Sequence, residues 1–313
     1  MATMEEQRGA AARAESHIPR MTPFRQIYRA YSTLMGLRGS VEALSQRLDK
    51  MAQELAPVAP SIERMSPKID VIEEKISQKK PVDLYDRHGF TFMLDRSSLV
   101  DRTMIETSQW EPGQVELFTR LMEHFRGAQS NVFLDIGSYW GLYSFLAVKS
   151  RIFDKIYAFE ADPSNFAQLQ ANVFLNRAAN EIKAFNKAVS AKAGFLNVWN
   201  SFTHTDGNRA GVGIVSEDFP HPTSRVESVM IDEFLGLKEA NLAVKIDVEG
   251  HELAVLSGME RTIRDNRVIM QVEIYPEQQA AVFPLLERLG LRRINQIEHD
   301  FYYTNINEST LGY

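Results

Sequence analysis

Apolar residues between positions 34 and 78 recur with the heptad spacing of a coiled coil. An apolar residue stands at every seventh position from Leu34 to Ile76, and a second series runs between them from Leu37 to Ile72. Such a narrow stripe suits association with identical helices better than burial in a globular core. We therefore predict that residues 34–78 form a coiled-coil-like helix that joins the chain into a homo-oligomer. Isoleucines late in the stripe favour a trimer, with a dimer as the alternative.

Three prolines interrupt this pattern at Pro57, Pro60 and Pro67. Inside a helix each removes a backbone hydrogen bond and clashes with the preceding turn, at a cost of about 3 kcal/mol or more. All three lie at outer heptad positions, so the apolar stripe keeps its register through them. Two helical pieces are therefore as good an interpretation as one. The alternative to an oligomer is that the helices pack back onto the rest of the chain.

Beyond Lys80, short apolar runs alternate with amphipathic stretches, the pattern of an α/β sheet. The apolar runs predict strands at 91–95, 132–135, 155–160, 182–189, 195–199, 225–231, 243–247, 268–273, 291–297 and 301–304. The amphipathic stretches predict helices at 97–105, 115–125, 249–258 and 280–289, with two more that begin near 142 and 162. The last two strands form a closing hairpin, from which we expect little chemistry. Residues 1–22 lack any period and are predicted to be a disordered tail, which leaves a helical segment at 23–80 and the sheet domain at 81–313.

The predicted strand 132–135 ends in a turn that is suited to binding a nucleoside. Asp135 closes the strand, and Gly137 and Gly141 follow before the next helix begins. Glycine at 137 lets the backbone bend sharply and leaves no Cβ between the loop and a ligand, while Gly141 lets the helix approach the strand. The Gly-x-x-x-Gly spacing suits a ligand without a pyrophosphate better than a dinucleotide. S-adenosylmethionine is such a ligand.

A second acid follows where a ribose would be bound. Glu160 ends the strand 155–160, about 20 residues beyond the glycine turn, as acids that hold a ribose do in nucleotide-binding folds. Its carboxylate can accept hydrogen bonds from both sugar hydroxyls. Asp135 alone has a competing interpretation as a helix-capping acid, which the presence of Glu160 makes less attractive.

Four stretches carry a resemblance to a known family. They are VFLDIGSYWGLYSFLA, YAFEADPSNFAQLQANVFLN, VKIDVEGHELAVLSGM and VIMQVEIYP. Between Trp110 and about Tyr275 the chain resembles the FkbM-type S-adenosylmethionine-dependent methyltransferases, and the most specific match is the segment 245–252. One departure is that Ser138-Tyr139-Trp140 stand where the family commonly has Ala-Asn after the first glycine.

The resemblance implies a class I (Rossmann-like) methyltransferase sheet with helices on both faces, preceded here by the helical segment. It also implies S-adenosylmethionine as the cofactor and a set of residues that hold it. These are Glu111, Asp135, Gly137, Ser138, Gly141, Glu160, Ala161, Ala188 and Asp247. Glu111 has a second interpretation, as an acid stabilised by the dipole of the helix after Pro112.

Charged residues at the end of the strand 243–247 are our candidates for catalysis. Ligands of open α/β sheets lie outside the carboxyl ends of the strands, beside the switch in strand order. A hydroxyl acceptor needs a base close to its oxygen, and five residues at this rim are candidates to act on it or to orient those that do. They are Lys245, Asp247, Glu249, His251 and Glu273.

Three of these residues permit a different mechanism. The carboxylates of Asp247, Glu249 and Glu273 are oxygen ligands of the kind that Mg²⁺ prefers, and a bound ion would lower the pKa of an alcohol directly. We favour a reaction without metal and keep Mg²⁺ as the alternative. Glu249 has a further interpretation as a dipole-stabilised acid at a helix start, and His251 as a solvent-facing residue.

The polar, glycine-containing stretch 200–224 is long for a connection in a compact domain. We interpret it as a lid on the acceptor side, in which His204, Asp206 and Arg209 are the side chains of interest. The alternative is a mobile surface excursion without a catalytic role.

Composition narrows the possible partners and location. The net charge of −6 argues against a broad nucleic-acid surface, and zero cysteines exclude disulfides and thiolate metal sites. No apolar run is long enough to span a membrane, and the start lacks a signal-peptide core. We therefore expect a cytoplasmic protein.

Our interpretation is an S-adenosylmethionine-dependent O-methyltransferase. The acceptor, a hydroxyl of a sugar, a glycan precursor or a secondary metabolite, comes from the family resemblance alone. The alternatives are N-methylation by the same fold, or a scaffold in which a coiled coil presents a methyltransferase-like domain without turnover. The retained glycines and acids of the nucleoside site argue against the scaffold.

Overall fold

A computed structural model of the chain describes residues 41–47, 81–203 and 207–307. The chain divides into two compact units, Met1–Lys79 and Lys80–Tyr313, at the point where the composition changes. In the first unit residues 41–47 are helical, and Val41 and Leu44 of the heptad stripe are exposed there. The rest of the stripe, its three prolines and the tail 1–22 lie outside the described residues. None of the helices described is long and apolar enough to cross a membrane.

The second unit contains thirteen strands and eight α-helices in its described part. The strands are β1 (Val82–Arg87), β2 (Phe90–Asp95), β3 (Asn131–Ile136), β4 (Lys155–Phe159), β5 (Ile182–Phe185), β6 (Ala188–Val189), β7 (Gly194–Trp199), β8 (Ile214–Val215), β9 (Thr223–Val229), β10 (Asn241–Ile246), β11 (Arg267–Glu273), β12 (Arg292–Ile297) and β13 (Asp300–Thr304). The helices are Leu99–Thr107, Pro112–Met122, Leu142–Ser150, Pro163–Leu175, Ile231–Phe234, Glu252–Ser257, Glu260–Arg264 and Pro276–Arg288.

Seven strands form the central sheet in the order β12-β13-β11-β10-β3-β4-β5. Pairs from β11 to β5 are parallel, and β13 joins β11 and β12 antiparallel. The first strand to enter this sheet is β3, in the middle, and the next two continue from it to the β5 edge. The chain then returns to form β10 on the other side of β3, so the switch in strand order lies between β3 and β10. This is the doubly wound sheet with a closing hairpin that the sequence predicted.

Alternation along the strands distributes the apolar side chains to two layers. Val132, Leu134 and Ile136 of β3 pack on one side of the sheet, whereas Phe133 packs on the other. The side of Phe133 faces the helices Pro112–Met122 and Leu142–Ser150, as well as the hairpin β1-β2. Both faces of a largely parallel sheet are thus covered, which explains its nearly continuous apolar runs.

Several elements differ from the sequence prediction. The sequence pattern did not predict β1 or β8, and the predicted helix 280–289 begins earlier, at Pro276. The predicted strand 182–189 is two strands, because Asn186 turns the chain out of the sheet by donating its side-chain amide to the carbonyls of Glu160 and Ala161. The piece after the turn, β6, joins the second sheet β6-β9-β7-β8. The predicted helix 115–125 begins earlier, at Pro112, and its α-helical part ends at Met122. The helix expected from Glu249 starts at Glu252, since Glu249 and Gly250 both have positive φ.

Candidate active site

The glycine turn after β3 lies directly against the end of β10. Gly137 has φ +81°, and a Cβ there would overlap the carbonyl oxygen of Asp247. The amides of Gly137 and Ser138 both donate to the carbonyl of Phe159, at 2.9 and 3.0 Å, and tie the turn to β4. Position 137 therefore accepts only glycine, and the turn joins the ends of three neighbouring strands.

A cavity of about 360 Å³ opens at these strand ends. Every site residue predicted from the sequence lines it, with the exception of Gly141. A Cβ at Gly141 would lie 2.7 Å from Leu169 Cδ1, so this glycine permits the close helix contact expected of it. The predicted lining residues are Glu111, Asp135, Gly137, Ser138, Glu160, Ala161, Ala188, Lys245, Asp247, Glu249, His251 and Glu273.

Glu160 is held at one end of the cavity by two backbone amides. Its Oε1 accepts from Asp162 N and its Oε2 from Tyr139 N, both at 2.8 Å. Each carboxylate oxygen keeps a further lone pair for a ligand. Burial raises the pKa of Glu160 to about 8, although the Asp162 amide opposes this.

Asp135 combines the two roles that its sequence context allowed. Its Oδ2 accepts from the amide of Ser144 at 2.9 Å and from the Ser144 hydroxyl at 2.6 Å, so it caps the first turn of the helix Leu142–Ser150. The same residue lines the cavity. Burial raises its pKa to about 6 against the opposing hydrogen bonds from Ser144.

Three acids meet at the other end of the cavity. Asp247, Glu249 and Glu273 each offer a carboxylate oxygen, and these oxygens lie within 4.8 Å of one another. Burial raises the pKa of both Glu249 and Glu273, and the charge of Asp247 raises both further. Glu249 has a positive φ, and the turn that it makes after β10 brings its carboxylate to Glu273 at the end of β11. This geometry can hold and transfer a proton, and its oxygen ligands also suit a divalent cation.

Lys245 lies beneath these acids in a buried polar network. Its ammonium is 3.4 Å from Asp247 Oδ2 and 3.2 Å from Asp300 Oδ1. Gln271 donates to the same Asp300 oxygen at 2.7 Å and to Tyr143 Oη at 3.2 Å. Burial opposes the charge of Lys245, but Asp247 and Asp300 together outweigh it, and the net effect raises the lysine pKa.

Asp300 and Gln271 support the site from below the cavity, and sequence reasoning missed both. The closing hairpin was expected to add little chemistry; Glu298 and His299 at its turn line the cavity, and Asp300 opens β13 directly beside Lys245. The register of the sheet brings these polar residues side by side. Lys245 of β10 is paired with Asp135 of β3 and with Gln271 of β11. A buried lysine in a parallel strand was the one signal that an acid partner had to exist.

Glu111 lies deep in the wall of the cavity. Tyr143 Oη donates to Glu111 Oε2 at 3.4 Å, and burial raises the pKa of this acid to about 7. Glu111 precedes the helix Pro112–Met122 but makes no capping hydrogen bond with its side chain. The position in the cavity favours the interpretation as a pocket residue over that of a helix-start acid.

His251 precedes the helix Glu252–Ser257 and is only partly exposed. Its Nε2 lies 2.9 Å from Ser190 Oγ, and burial lowers its pKa, so the ring is neutral near pH 7. It lines the cavity, unlike the solvent-facing residue of the alternative interpretation.

The predicted lid is only partly described. His204 and Asp206 lie outside the described residues. Arg209 is buried in an ion pair with Asp95 and does not line the cavity, whereas five of its neighbours in the segment 207–214 do. Arg209 therefore anchors the segment 207–214 and does not itself face the cavity.

Comparison with known proteins agrees with this geometry. A family model described as "Methyltransferase FkbM domain" matches residues 127–293, more than half of the chain. A search of curated proteins finds no match.

Several solved structures are similar in part. An FkbM methyltransferase from Methylobacillus flagellatus is 18% identical, with a TM-score of 0.40, over 62% of this chain and 50% of that one. The methyltransferase domain of METTL16 is 12% identical, with a TM-score of 0.41, over 70% and 75% of the two chains. TYW2 from M. jannaschii, solved with AdoMet, is 13% identical, with a TM-score of 0.34, over 72% and 84%. The chain thus spans half the length of the M. flagellatus protein.

Proposed function

The chain belongs to the FkbM methyltransferase family, and from this premise we propose that it transfers a methyl group from S-adenosylmethionine to a hydroxyl of a sugar, a glycan precursor or a secondary metabolite. One observation supports the proposal most. A single cavity joins an adenosyl-type end, with Gly137 and Glu160, to an acidic end with Asp247, Glu249 and Glu273. A methyltransferase needs both ends within reach of one another.

The residues present fit an adenosyl cofactor. The turn at Gly137 has no room for a side chain, and Glu160 is held in place by two amides while its carboxylate faces the cavity. Glu160 would hold the ribose, with Ala161 and Ala188 beside the base, and Asp135, Ser138 and Glu111 would line the remaining wall. When bound, S-adenosylmethionine supplies an electrophilic methyl group on a sulfonium.

Asp247 is the residue that we assign to accept the proton of the acceptor hydroxyl. Glu249 and Glu273 have raised pKa values and hold protons near neutral pH. Asp247 pairs with Lys245, and its side chain is 31% exposed, so it is open to an acceptor. The proton can then leave to solvent, because the Asp247 side chain is partly exposed. A divalent cation on the same three carboxylates is the alternative, and loss of turnover with EDTA that Mg²⁺ restores would favour it.

Isothermal titration with S-adenosylmethionine is the first test of this function. Binding by the purified chain, followed by methyl transfer to a member of a panel of polyhydroxylated acceptors, is the expected result. Absence of binding would favour the scaffold. Methylation of an amine in preference to a hydroxyl would favour N-methylation.

Glu160→Ala is expected to weaken S-adenosylmethionine binding by about 1–3 kcal/mol, the range for leaving buried polar groups without a hydrogen-bond partner. Titration calorimetry measures the change. The control is Glu227→Ala, since Glu227 pairs with Lys187, is exposed and lies outside the cavity. Unchanged affinity in Glu160→Ala would refute the ribose role.

Asp247→Asn is expected to slow methyl transfer by about 100-fold or more, the upper part of the range for a general base being about 10⁴-fold. Cofactor affinity should stay nearly unchanged, because the assigned role is on the acceptor side. Single-turnover kinetics and calorimetry separate the two quantities. Equal losses in both would move Asp247 to the cofactor shell.

We further propose that residues 34–78 hold a homo-oligomer together. Val41 and Leu44 are exposed on the described helix turn, which leaves apolar surface for a second chain. A chain that begins at Lys80 should be monomeric, or associate more weakly, and should still bind the cofactor, as light scattering and calorimetry would show. An unchanged mass after the deletion would mean that the helices pack on their own chain.

A further inference from the structure

A segment of the predicted lid forms one wall of the cavity. This segment, residues 207–214, we call the strap. The carbonyl of Gly213 accepts from Trp199 N at 3.1 Å, and a Cβ at Gly213 would lie 2.5 Å from the backbone oxygen of Glu249. The strap thus touches the acidic end of the cavity. Its lining residues are Asn208, Ala210, Val212, Gly213 and Ile214.

The other end of the strap is anchored by Arg209. The Arg209 guanidinium lies 3.1 Å from Asp95 Oδ2 and donates to Asn165 Oδ1 at 3.0 Å. The Arg209 carbonyl accepts from Asn165 Nδ2 at 2.9 Å, so one asparagine binds both the side chain and the backbone of the strap. The arginine also covers the ring of Phe202 at 4.8 Å.

This anchor lies on the ribose side of the cavity. Asn165 lines the cavity and is in the first turn of the helix Pro163–Leu175. The backbone amide of Asn165 donates to Asp162 Oδ1, and the backbone amide of Asp162 donates to Glu160 Oε1. The strap is therefore tied to the element that positions Glu160, and it reaches from there to Glu249.

A buried ion pair contributes little to the stability of a fold, because burying the two charges costs much of what their attraction gains. The side chains of Arg209 and Asp95 are only 8% and 6% exposed, and two charges lose much hydration when they are buried. Apolar residues would hold a permanent wall at lower cost. An ion pair differs because water satisfies both charges when the pair separates, so the open state is accessible as well as the closed one.

We propose that Arg209 is a positioning residue that holds the strap closed over the bound cofactor and thereby limits the rate of cofactor exchange. The inference rests on the proposed cofactor binding. Closure by a loop that seals a cofactor site commonly sets release rates in enzymes.

Dissociation of S-adenosylhomocysteine from the full chain tests the proposal directly. Arg209→Ala should release it about 10-fold faster in a stopped-flow displacement with excess S-adenosylmethionine, and Arg209→Lys should be intermediate because it keeps the charge but loses the fork. Arg225→Ala is the matched control. Arg225 also covers a phenylalanine ring, but it is exposed and lies outside the cavity.

Arg209→Ala leaves Asp95 buried without a counter-ion, so a second variant guards against misfolding. Asp95→Asn combined with Arg209→Met removes both charges and the guanidinium hydrogen bond to Asn165 without creating an apolar pair, so it should show the same faster release. The wild-type chain offers an independent measurement, because trypsin cleaves after arginine and Arg209 is buried while the strap is closed. Saturating S-adenosylhomocysteine should slow cleavage after Arg209 by about 10-fold or more, with little effect on cleavage after Arg225.

The outcomes separate the two proposals. A wild-type chain that binds no S-adenosylhomocysteine overturns the proposed function, and the role of Arg209 falls with it. A different result would be a wild-type chain that binds S-adenosylhomocysteine while the folded variants release it at the wild-type rate. Another would be a wild-type chain that binds it while the ligand does not change tryptic cleavage after Arg209. Either result would leave cofactor binding in place and show that the proposed role of Arg209 in the strap is wrong.

Discussion

Replacing Gly137 by alanine is expected to weaken cofactor binding by about 100-fold or more, about 2.7 kcal/mol. The added methyl group would overlap the carbonyl oxygen of Asp247, which is backbone and has no rotamer to move. The turn and the end of β10 would have to separate, and both line the cavity. Calorimetry with S-adenosylmethionine and thermal unfolding measure the two consequences.

Gly127→Ala is the control for backbone strain alone. Gly127 has φ +79°, close to the +81° of Gly137, but nothing lies within 4 Å of the Cβ position. Its substitution should cost only the strain of a left-handed residue, about 1–2 kcal/mol of unfolding free energy, and leave binding intact. Equal effects of the two substitutions would show that strain, and not the contact with Asp247, decides the outcome.

Lys245→Met is expected to lower the free energy of unfolding by about 3–5 kcal/mol, the cost of leaving buried charge unpaired. Asp300 is almost fully buried and would face Asp247 without the ammonium between them. Urea unfolding measures the loss. Combining Lys245→Met with Asp300→Asn should recover part of it, because one unpaired charge is removed and Gln271 keeps an acceptor oxygen.

Lys187→Met provides the matched control for that experiment. Lys187 pairs with Glu227, and their side chains are 19% and 54% exposed, so this ion pair keeps contact with water that the pair of Lys245 and Asp300 lacks. A pair of this kind contributes about 0–1 kcal/mol. If Lys245→Met costs no more than Lys187→Met, the buried network does not hold the acidic end of the cavity together.

Local patterns were sufficient for most of the central sheet. Strands buried on both faces read as continuous apolar runs, and an acid or a glycine at the end of such a run marks the edge where ligands bind. Asp135, Gly137, Glu160 and Asp247 were predicted in this way, and all four line the cavity. One strand that the pattern missed, β1, has four exposed and two half-buried residues, so no buried side chain marks it in the sequence.

Pairing between distant charges was beyond such patterns. Glu249 was expected to begin a helix, but its backbone lies in the left-handed region and turns the carboxylate toward Glu273. The Glu249 backbone also lies close to the strap at Gly213, a contact that no local preference encodes.

The sequence by itself determined the order of strands and helices, the glycine turn and the acids at the strand ends, because periodicity and backbone geometry act over a few residues. Only the tertiary structure decided which charges meet. Lys245 and Asp300 are 55 positions apart, and Arg209 and Asp95 are 114 apart. The register of the sheet brings Lys245 and Asp300 together. The folding of the strap brings Arg209 to Asp95. Burial then makes each pairing necessary, because neither partner can remain charged and unpaired away from water.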